Sequence, residues 1–414
     1  MKTISILKRY KFEFILNLLA IIFYFFIYEN LHFQLSEKIM FSTPDSISYL
    51  NVSKWIDTGK ISNSIVIRPF LFPLILFFCL KIGYLTIWCF NLILWIISYN
   101  LIYLTVIIIT KNKKYAVLST LIFITNISLI TMSFHALTEL TATFLISLFC
   151  HILVKYRFEE NKIKTFHFLI IILIILSLIK PVFFYFTIFF GLFMLIKGYL
   201  NIYFHKPKLL FLLILITSPL LVQTSINKTL FNTFSISKIG NQTITDYFLS
   251  DGIIHLKKKN RNDARNIARR MNKDEKFELL INNKMLYLRI FKNNIIENIK
   301  SSSNFLNYPK GSISHKMYEV MIDLNNIYFK IHFIFAFLIP FSMIKPFKYN
   351  LIKRSLIVTI YSLLIFILIT SGVSNRQGDR LILPSIGCWP ALYSIVLFLI
   401  FNNKNLFFRK IRFI

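Results

Sequence analysis

The chain has 414 residues and a formal net charge of +30 at pH 7, and 56% of its residues are hydrophobic, for a mean hydropathy of +0.63. Several apolar runs are long enough to cross a ~30 Å hydrocarbon core and none alternates as barrel strands do, which excludes an ordinary soluble enzyme and a β-barrel. Lys and Arg cluster at the ends of those runs, where the positive-inside bias places them, so the charge points to anionic lipid rather than nucleic acid.

The expected fold class is an all-α polytopic membrane protein of about ten or eleven transmembrane helices. A basic start (Lys2, Lys8, Arg9, Lys11) precedes the apolar run Phe14 to Tyr28 with no small-residue cleavage site, so 14–29 is expected to be a retained first span with the N-terminus cytoplasmic. Residues 30–66 then form an external loop that carries Asp45 and Tyr49. The run Ile65 to Leu80 opens with Arg68, Pro69 and Pro73 and breaks at Lys81-Ile82-Gly83, ahead of a longer run from Leu85 to Thr110. If both runs crossed, Lys111, Lys113 and Lys114 would face outward. The expectation is therefore a helix over 68–82 that lies in or re-enters the outer leaflet, with 84–110 as span two.

Span three (115–134) delivers His135 and Glu139 to the face of Asp45, and span four (140–156) returns to a turn marked by Lys155, Arg157, Lys162 and Lys164. The stretch 166–197 is too long for one helix and splits at Lys180-Pro181 into spans five and six. Span seven (209–223) leads to an external segment of about a hundred residues, 224–325, exempt by its length from the charge rule. That segment carries thirteen Lys or Arg between Lys257 and Lys300. Spans eight (326–344), nine (355–371) and ten (381–402) follow, with the basic stretch Lys345 to Arg354 and the C-terminal tail cytoplasmic. The loop Ser371 to Arg380 brings Arg376, Asp379 and Arg380 outside. Three modules result: an N-terminal transmembrane catalytic module (1–223), the external segment (224–325) and the C-terminal helices (326–414).

Glu139 is the only acidic residue between Asp57 and Glu159. An ionised carboxylate at membrane depth costs roughly 2.5 to 3.5 kcal/mol on insertion scales, so it needs a partner or a task. Structural explanations exist for each charge taken alone. Thr138 would cap span four with Glu139 in its first turn, Asp45 after Pro44 would cap a short helix, and Arg68 and Lys180 would snorkel. Cys79, Cys89, Cys150 and Cys388 lie in apolar stretches without metal-ligand spacing, and there is no Gly-rich phosphate loop, Ser-centred elbow or zinc motif.

Carboxylates and cations gathered on the outer face of such a bundle suit few reactions. The cytoplasmic loops are too short for a nucleotide-sugar domain, so an activated group must arrive on a lipid. Transfer from a polyprenyl phosphate needs one base for the acceptor's proton and positive charge for the departing phosphate. A phosphate leaves without a general acid, so the paired acid of hydrolases is dispensable.

The run Asp45-Ser46-Ile47-Ser48-Tyr49-Leu50, then Gly59, then Arg68-Pro69-Phe70-Leu71-Phe72-Pro73-Leu74 resembles the first external loop of the GT-C superfamily of integral-membrane glycosyltransferases. The nearest branch is the bacterial group related to the aminoarabinose transferase of lipid A and to protein O-mannosyltransferases. Thr138-Glu139 is similar to its second acidic position, Lys180-Pro181 to its Arg/Lys-Pro pair, and Arg380-Leu381-Ile382-Leu383-Pro384 to its C-terminal motif, with Leu381 where Tyr is usual. Phe70 departs from the Pro or Gly common there.

The resemblance implies Asp45 as catalytic base or metal anchor with Glu139 as its partner. It implies Arg68 on the lipid phosphate; Lys180, Arg380 and Arg376, brought to the same face, are expected to bind that phosphate too, and Tyr49 and His135 are expected to contact the substrate. A divalent Mg or Mn between Asp45 and Glu139 suits carboxylate ligands but is not required. The expected activity is inverting transfer of a sugar from an undecaprenyl-phosphate carrier to an envelope glycan or lipid on the periplasmic face of a bacterial inner membrane. An O-antigen or capsule polymerase, resting on the Arg265 to Arg289 region, and a lipid-linked sugar flippase are the competing readings.

Overall fold

The computed structural model describes residues 2–30, 35–156, 162–196, 206–300, 313–342, 351–374 and 378–411, and every regular element among them is helical. In chain order the α-helices are α1 (Lys2–Asn30), α2 (Glu37–Met40), α3 (Pro44–Thr58), α4 (Leu71–Ile82), α5 (Leu85–Thr110), α6 (Lys113–Ile124), α7 (Ile127–Met132), α8 (Glu139–Lys155), α9 (Lys162–Ile179) and α10 (Phe183–Met194). They continue as α11 (Pro207–Phe231), α12 (Ile239–Thr243), α13 (Ser250–Lys257), α14 (Arg261–Arg270), α15 (Lys273–Asn282), α16 (Lys284–Lys300), α17 (Ile313–Ser342), α18 (Leu351–Ser371) and α19 (Trp389–Ile411). A π-helical stretch, Ile244–Leu249, joins α12 to α13, and short 3-10 turns occur at Asn63–Val66, Gly378–Leu381 and Leu383–Gly387.

One hydrophobic core runs through α1, α5 to α10 and α17 to α19, with Trp95, Trp389, Tyr24 and Phe149 fully enclosed. Among the described residues, α5 and α11 are long and apolar enough to cross a membrane, and Leu71–Ile82, Ile163–Ile179, Phe183–Met194, Ser355–Ser371 and Trp389–Leu399 are shorter apolar helices. The outer surface is apolar as well: Phe189 and Phe193 on α10 and Phe211, Leu215 and Val222 on α11 are exposed. A second, small core around Leu249, Ile253, Ala264, Ala268, Tyr287 and Ile290 knits α13 to α16 into a separate cluster.

The helix boundaries differ from the sequence expectations in instructive places. Over 68–82 the helix begins only at Leu71, because the preceding residues form a capped 3-10 turn and a bend. At 12 residues, α4 is about 18 Å long, well short of a ~30 Å hydrocarbon core. Expected span three is broken after Ile124, where the buried Asn126 caps α7 by accepting a hydrogen bond from Leu129 N. The stretch 381–402 starts with 3-10 turns and becomes helical at Trp389. At 180 the break is as expected, because Pro181 has no N–H to continue α9 and its ring clashes with the preceding turn.

Helix α11 continues to Phe231, beyond the expected boundary at 223, because its polar residues find partners. Asn227 Nδ2 donates to the carbonyls of Ser235 and Ile236 at 2.8 and 2.9 Å. Gln223 Oε1 accepts from Phe70 N at 2.9 Å.

Candidate active site

Helix α3 starts where it does because Thr43 and Ser46 form a reciprocal capping box, each side chain accepting from the other's backbone N–H at 3.1 Å, with Pro44 at the first helical position. Thr43, not Asp45, is therefore the cap, and the Asp45 carboxylate is free of that duty. Ser46, Tyr49, Val52 and Ser53 turn inward as one face, and the helix ends at Gly59, whose φ of 71° suits glycine. A Thr43→Ala change is expected to cost about 1 kcal/mol of stability, the usual worth of such a cap, read from unfolding in detergent.

Arg68 lies in the bend after the 3-10 turn at Asn63–Val66. Three contacts hold that bend from α11 and the chain after it. Gln223 takes the Phe70 N–H, Ser237 Oγ donates to Ile67 O at 2.5 Å, and Lys238 N donates to Val66 O at 2.8 Å. The Arg68 guanidinium then donates to Ser48 Oγ at 3.3 Å and Tyr49 Oη at 3.4 Å, lies 4.7 Å above the Tyr49 ring, and closes on Asp45 Oδ1 in an ion pair.

Glu139 opens α8. Thr138 precedes it in helical conformation and makes no side-chain cap, so Glu139 faces the positive helix end directly. Arg380, in the Gly378–Leu381 turn, reaches both acids: Nε donates to Glu139 Oε1 and Nη2 to Asp45 Oδ2, each at 2.5 Å. Lys180, just past α9, stands 3.5 Å from Glu139 Oε1. The turn after Arg380 packs hard on α8, since a Cβ on Gly387 would meet Thr143 O at 2.5 Å.

Among the described residues, five charges from five separate segments thus form one connected network of three cations and two carboxylates, which together leave one net positive charge. The two acids are not equivalent. The Asp45 side chain keeps 30% of its surface exposed, and that of Glu139 keeps 2%. Burial alone pushes the Asp45 carboxyl up, but the charges of Arg380 and Arg68 and their hydrogen bonds outweigh it and hold the group below the ordinary carboxylate range.

No family model matches this chain, and no curated protein or solved structure matches it.

Tyr49 belongs to the network, with its hydroxyl 3.5 Å from Thr138 Oγ1 and its ring under Arg68. His135 lies alongside, but its Nδ1–H donates to Ile39 O at 2.9 Å, and burial pushes the imidazole down to about 4, so the ring is neutral at physiological pH and adds no cation. Arg376 falls outside the described residues. The Asp246 carboxylate, in the π-helical stretch before α13, takes a two-pronged hydrogen bond from Arg269 at 2.7 and 2.8 Å, so part of the basic stretch Arg265 to Arg289 has a structural partner.

Asp45 and Glu139, the pair expected to hold a divalent ion, already share a counter-ion in this arrangement. The Arg380 guanidinium fills the bridging position, Arg68 and Lys180 add like charge, and no group of three or more His, Cys, Asp or Glu side chains converges among the described residues.

Nothing in the sequence singled out Ser48 or Gln223. Ser48 and Gln223 are polar residues inside otherwise legible motifs or helices, and only their distant partners give them meaning.

Proposed function

We propose that the protein is an integral-membrane glycosyltransferase that moves one sugar from a polyprenyl-phosphate carrier to a cell-envelope glycan or lipid, with inversion at the anomeric carbon. The observation that carries this reading is the buried network with one net positive charge and one partly exposed carboxylate. A sugar-phosphate diester brings a single negative charge, which the excess cation balances. Charge grows on that phosphate as the sugar leaves, and guanidinium groups already in place stabilise it.

In this mechanism Arg68, Arg380 and Lys180 hold the phosphate. Arg380 directs two of its five N–H donors at the acids, so a phosphate competes for the same guanidinium groups that now restrain Asp45. Asp45 takes the proton from the acceptor hydroxyl as that oxygen bonds to the anomeric carbon from the far side. The bond from the anomeric carbon to the phosphate oxygen breaks, and its electron pair leaves with the polyprenyl phosphate. Tyr49 supports Arg68 from beneath, and enclosed Glu139 anchors Arg380 and Lys180.

A membrane setting is supported by the apolar α5 and α11 and by the apolar outer faces of α10 and α11. The short α4 beside α3 suits a helix that does not cross. We place the site on the periplasmic or outer face of a bacterial plasma membrane, with both termini cytoplasmic. No metal has a role in the reaction, so millimolar chelator is expected to leave the rate within about twofold; a chelator-sensitive rate restored by Mg or Mn would return Asp45 to the role of metal anchor.

The deciding experiment is transfer by the reconstituted chain from a defined polyprenyl-phosphate sugar to envelope glycan acceptors, followed by mass analysis. Sugar delivered only across the bilayer, with no new glycosidic bond, would point to a flippase instead.

A further inference from the structure

Arg380 can bridge two acids only if the short turn that carries it is itself fixed, and that turn is not held by the bundle's apolar packing alone. Asp379, its neighbour, is completely buried, and its Oδ2 accepts from Ser128 Oγ at 2.5 Å and from Asn325 Nδ2 at 2.9 Å. Ser128 belongs to the first turn of α7, and Asn325 to the middle of α17. Asn325 is itself tied down, donating from Nδ2 to Ser128 Oγ at 3.0 Å and accepting from Asn126 Nδ2 at its Oδ1.

The approach to the turn is held from the other side by α16. Asn294 Nδ2 donates to Gly372 O at 3.0 Å, and Asn298 Nδ2 donates to Ser371 O and Ser374 O at 3.0 and 2.8 Å. Gly372 has no room for a side chain, because a Cβ would lie 2.7 Å from the Phe291 ring.

A carboxylate in such a place is expensive to desolvate, and an apolar side chain would pack at lower cost. What it offers is acceptor capacity: one oxygen takes a hydroxyl and an amide at once, with no donor of its own to clash with them. The amide oxygen of an asparagine would accept both only as a neutral, weaker acceptor, and its amide nitrogen would put a donor where the carboxylate has its second acceptor oxygen.

We propose that Asp379 is a positioning residue for Arg380: bonded to Ser128 and Asn325, it locks the 378–381 turn so that the guanidinium spans Asp45 and Glu139. The consequence for turnover rests on the transferase reading; the mechanical claim does not.

The test compares the full chain, reconstituted in lipid nanodiscs, with Asp379→Asn, Arg380→Ala and the double variant. Hydrogen exchange over 378–388 is expected to speed up about tenfold or more in Asp379→Asn, a local opening rather than global unfolding. Transfer should fall about 10- to 100-fold in kcat/KM for the donor, and Asp379→Asn should cost nothing further in the Arg380→Ala background. Unchanged exchange, or losses that multiply in the double variant, would overturn the proposal.

If the wild-type chain transfers no sugar, the transferase reading fails while exchange over 378–388 still decides the positioning claim. Should Asp379→Asn fail to fold, the exchanged pair Asp379→Asn with Asn325→Asp keeps one carboxylate and one amide in contact. Protection of 378–388 in that variant supports the assignment, and its loss refutes it.

Discussion

Replacing Arg380 by alanine is expected to lower both stability and transfer more than any other single change at this site. Two acids lose one shared counter-ion, and Glu139 is the more affected because it is enclosed and its Oε2 has no hydrogen-bond partner among the described residues. Breaking a buried ion pair costs about 3 to 5 kcal/mol. Lys180 remains 3.5 Å from Glu139, which places the expected loss near the lower end, about 3 kcal/mol by the same principle.

Transfer should fall on the order of 100- to 1000-fold, the scale for removing one preorganised donor from a developing oxyanion. Arg380→Lys separates the two effects. It keeps the charge but loses the planar fork that serves both acids, so about 1 kcal/mol of stability and at least about tenfold in rate should go. Unfolding midpoints in detergent, measured beside transfer rates, would read both. An Arg380→Ala chain as stable as wild type would mean that the network is not the buried assembly described.

Some of this site was legible in the sequence because desolvation makes charge conspicuous. Asp45, Arg68, Glu139, Lys180 and Arg380 stand in apolar or motif-bearing surroundings where an unpaired charge is costly, and proline marks the break at Lys180-Pro181 locally. Which charge meets which acid was not legible. The contacts of Arg380 with Glu139 and Asp45 join residues 241 and 335 positions apart, and no local pattern encodes them.

The break before α7 had a local signal in Asn126, a residue type that caps helices, but the apolar run around it reads as continuous. Asn294 and Asn298 carry no signal at all, since on a polar amphipathic stretch an asparagine that staples a distant turn is indistinguishable from a solvated one. The all-helical class was legible from periodicity and run length, while the short α4 and the late start of α19 depend on caps and turns that act over only three or four residues.

Asp45→Asn is expected to insert and fold normally and to lose transfer by more than about 100-fold, the scale of general-base loss. The amide keeps the size of the carboxylate and can still accept from one guanidinium, and partial exposure lets water relieve the lost charge, so stability should suffer far less than at Arg380. Normal transfer by this variant would remove Asp45 from the mechanism.

The pH profile makes the assignment stricter. A base works when deprotonated, and Arg380 and Arg68 hold this carboxyl below its ordinary range, so activity should be present at neutral pH and fall only as pH drops below the ordinary carboxylate range. The sign for stability is the same. The ion pairs of Asp45 stabilise the fold above the unfolded-state pKa and are lost as pH falls through the folded one.

Arg68→Gln removes one of the two restraining charges, so its acid limb in kcat/KM should move to higher pH even as its maximal rate declines. A limb that stays in place would assign the titration to another group. The same two arginines thus make Asp45 a weak base at rest and a stronger one once a phosphate draws their charge away, which ties proton abstraction to the presence of the donor.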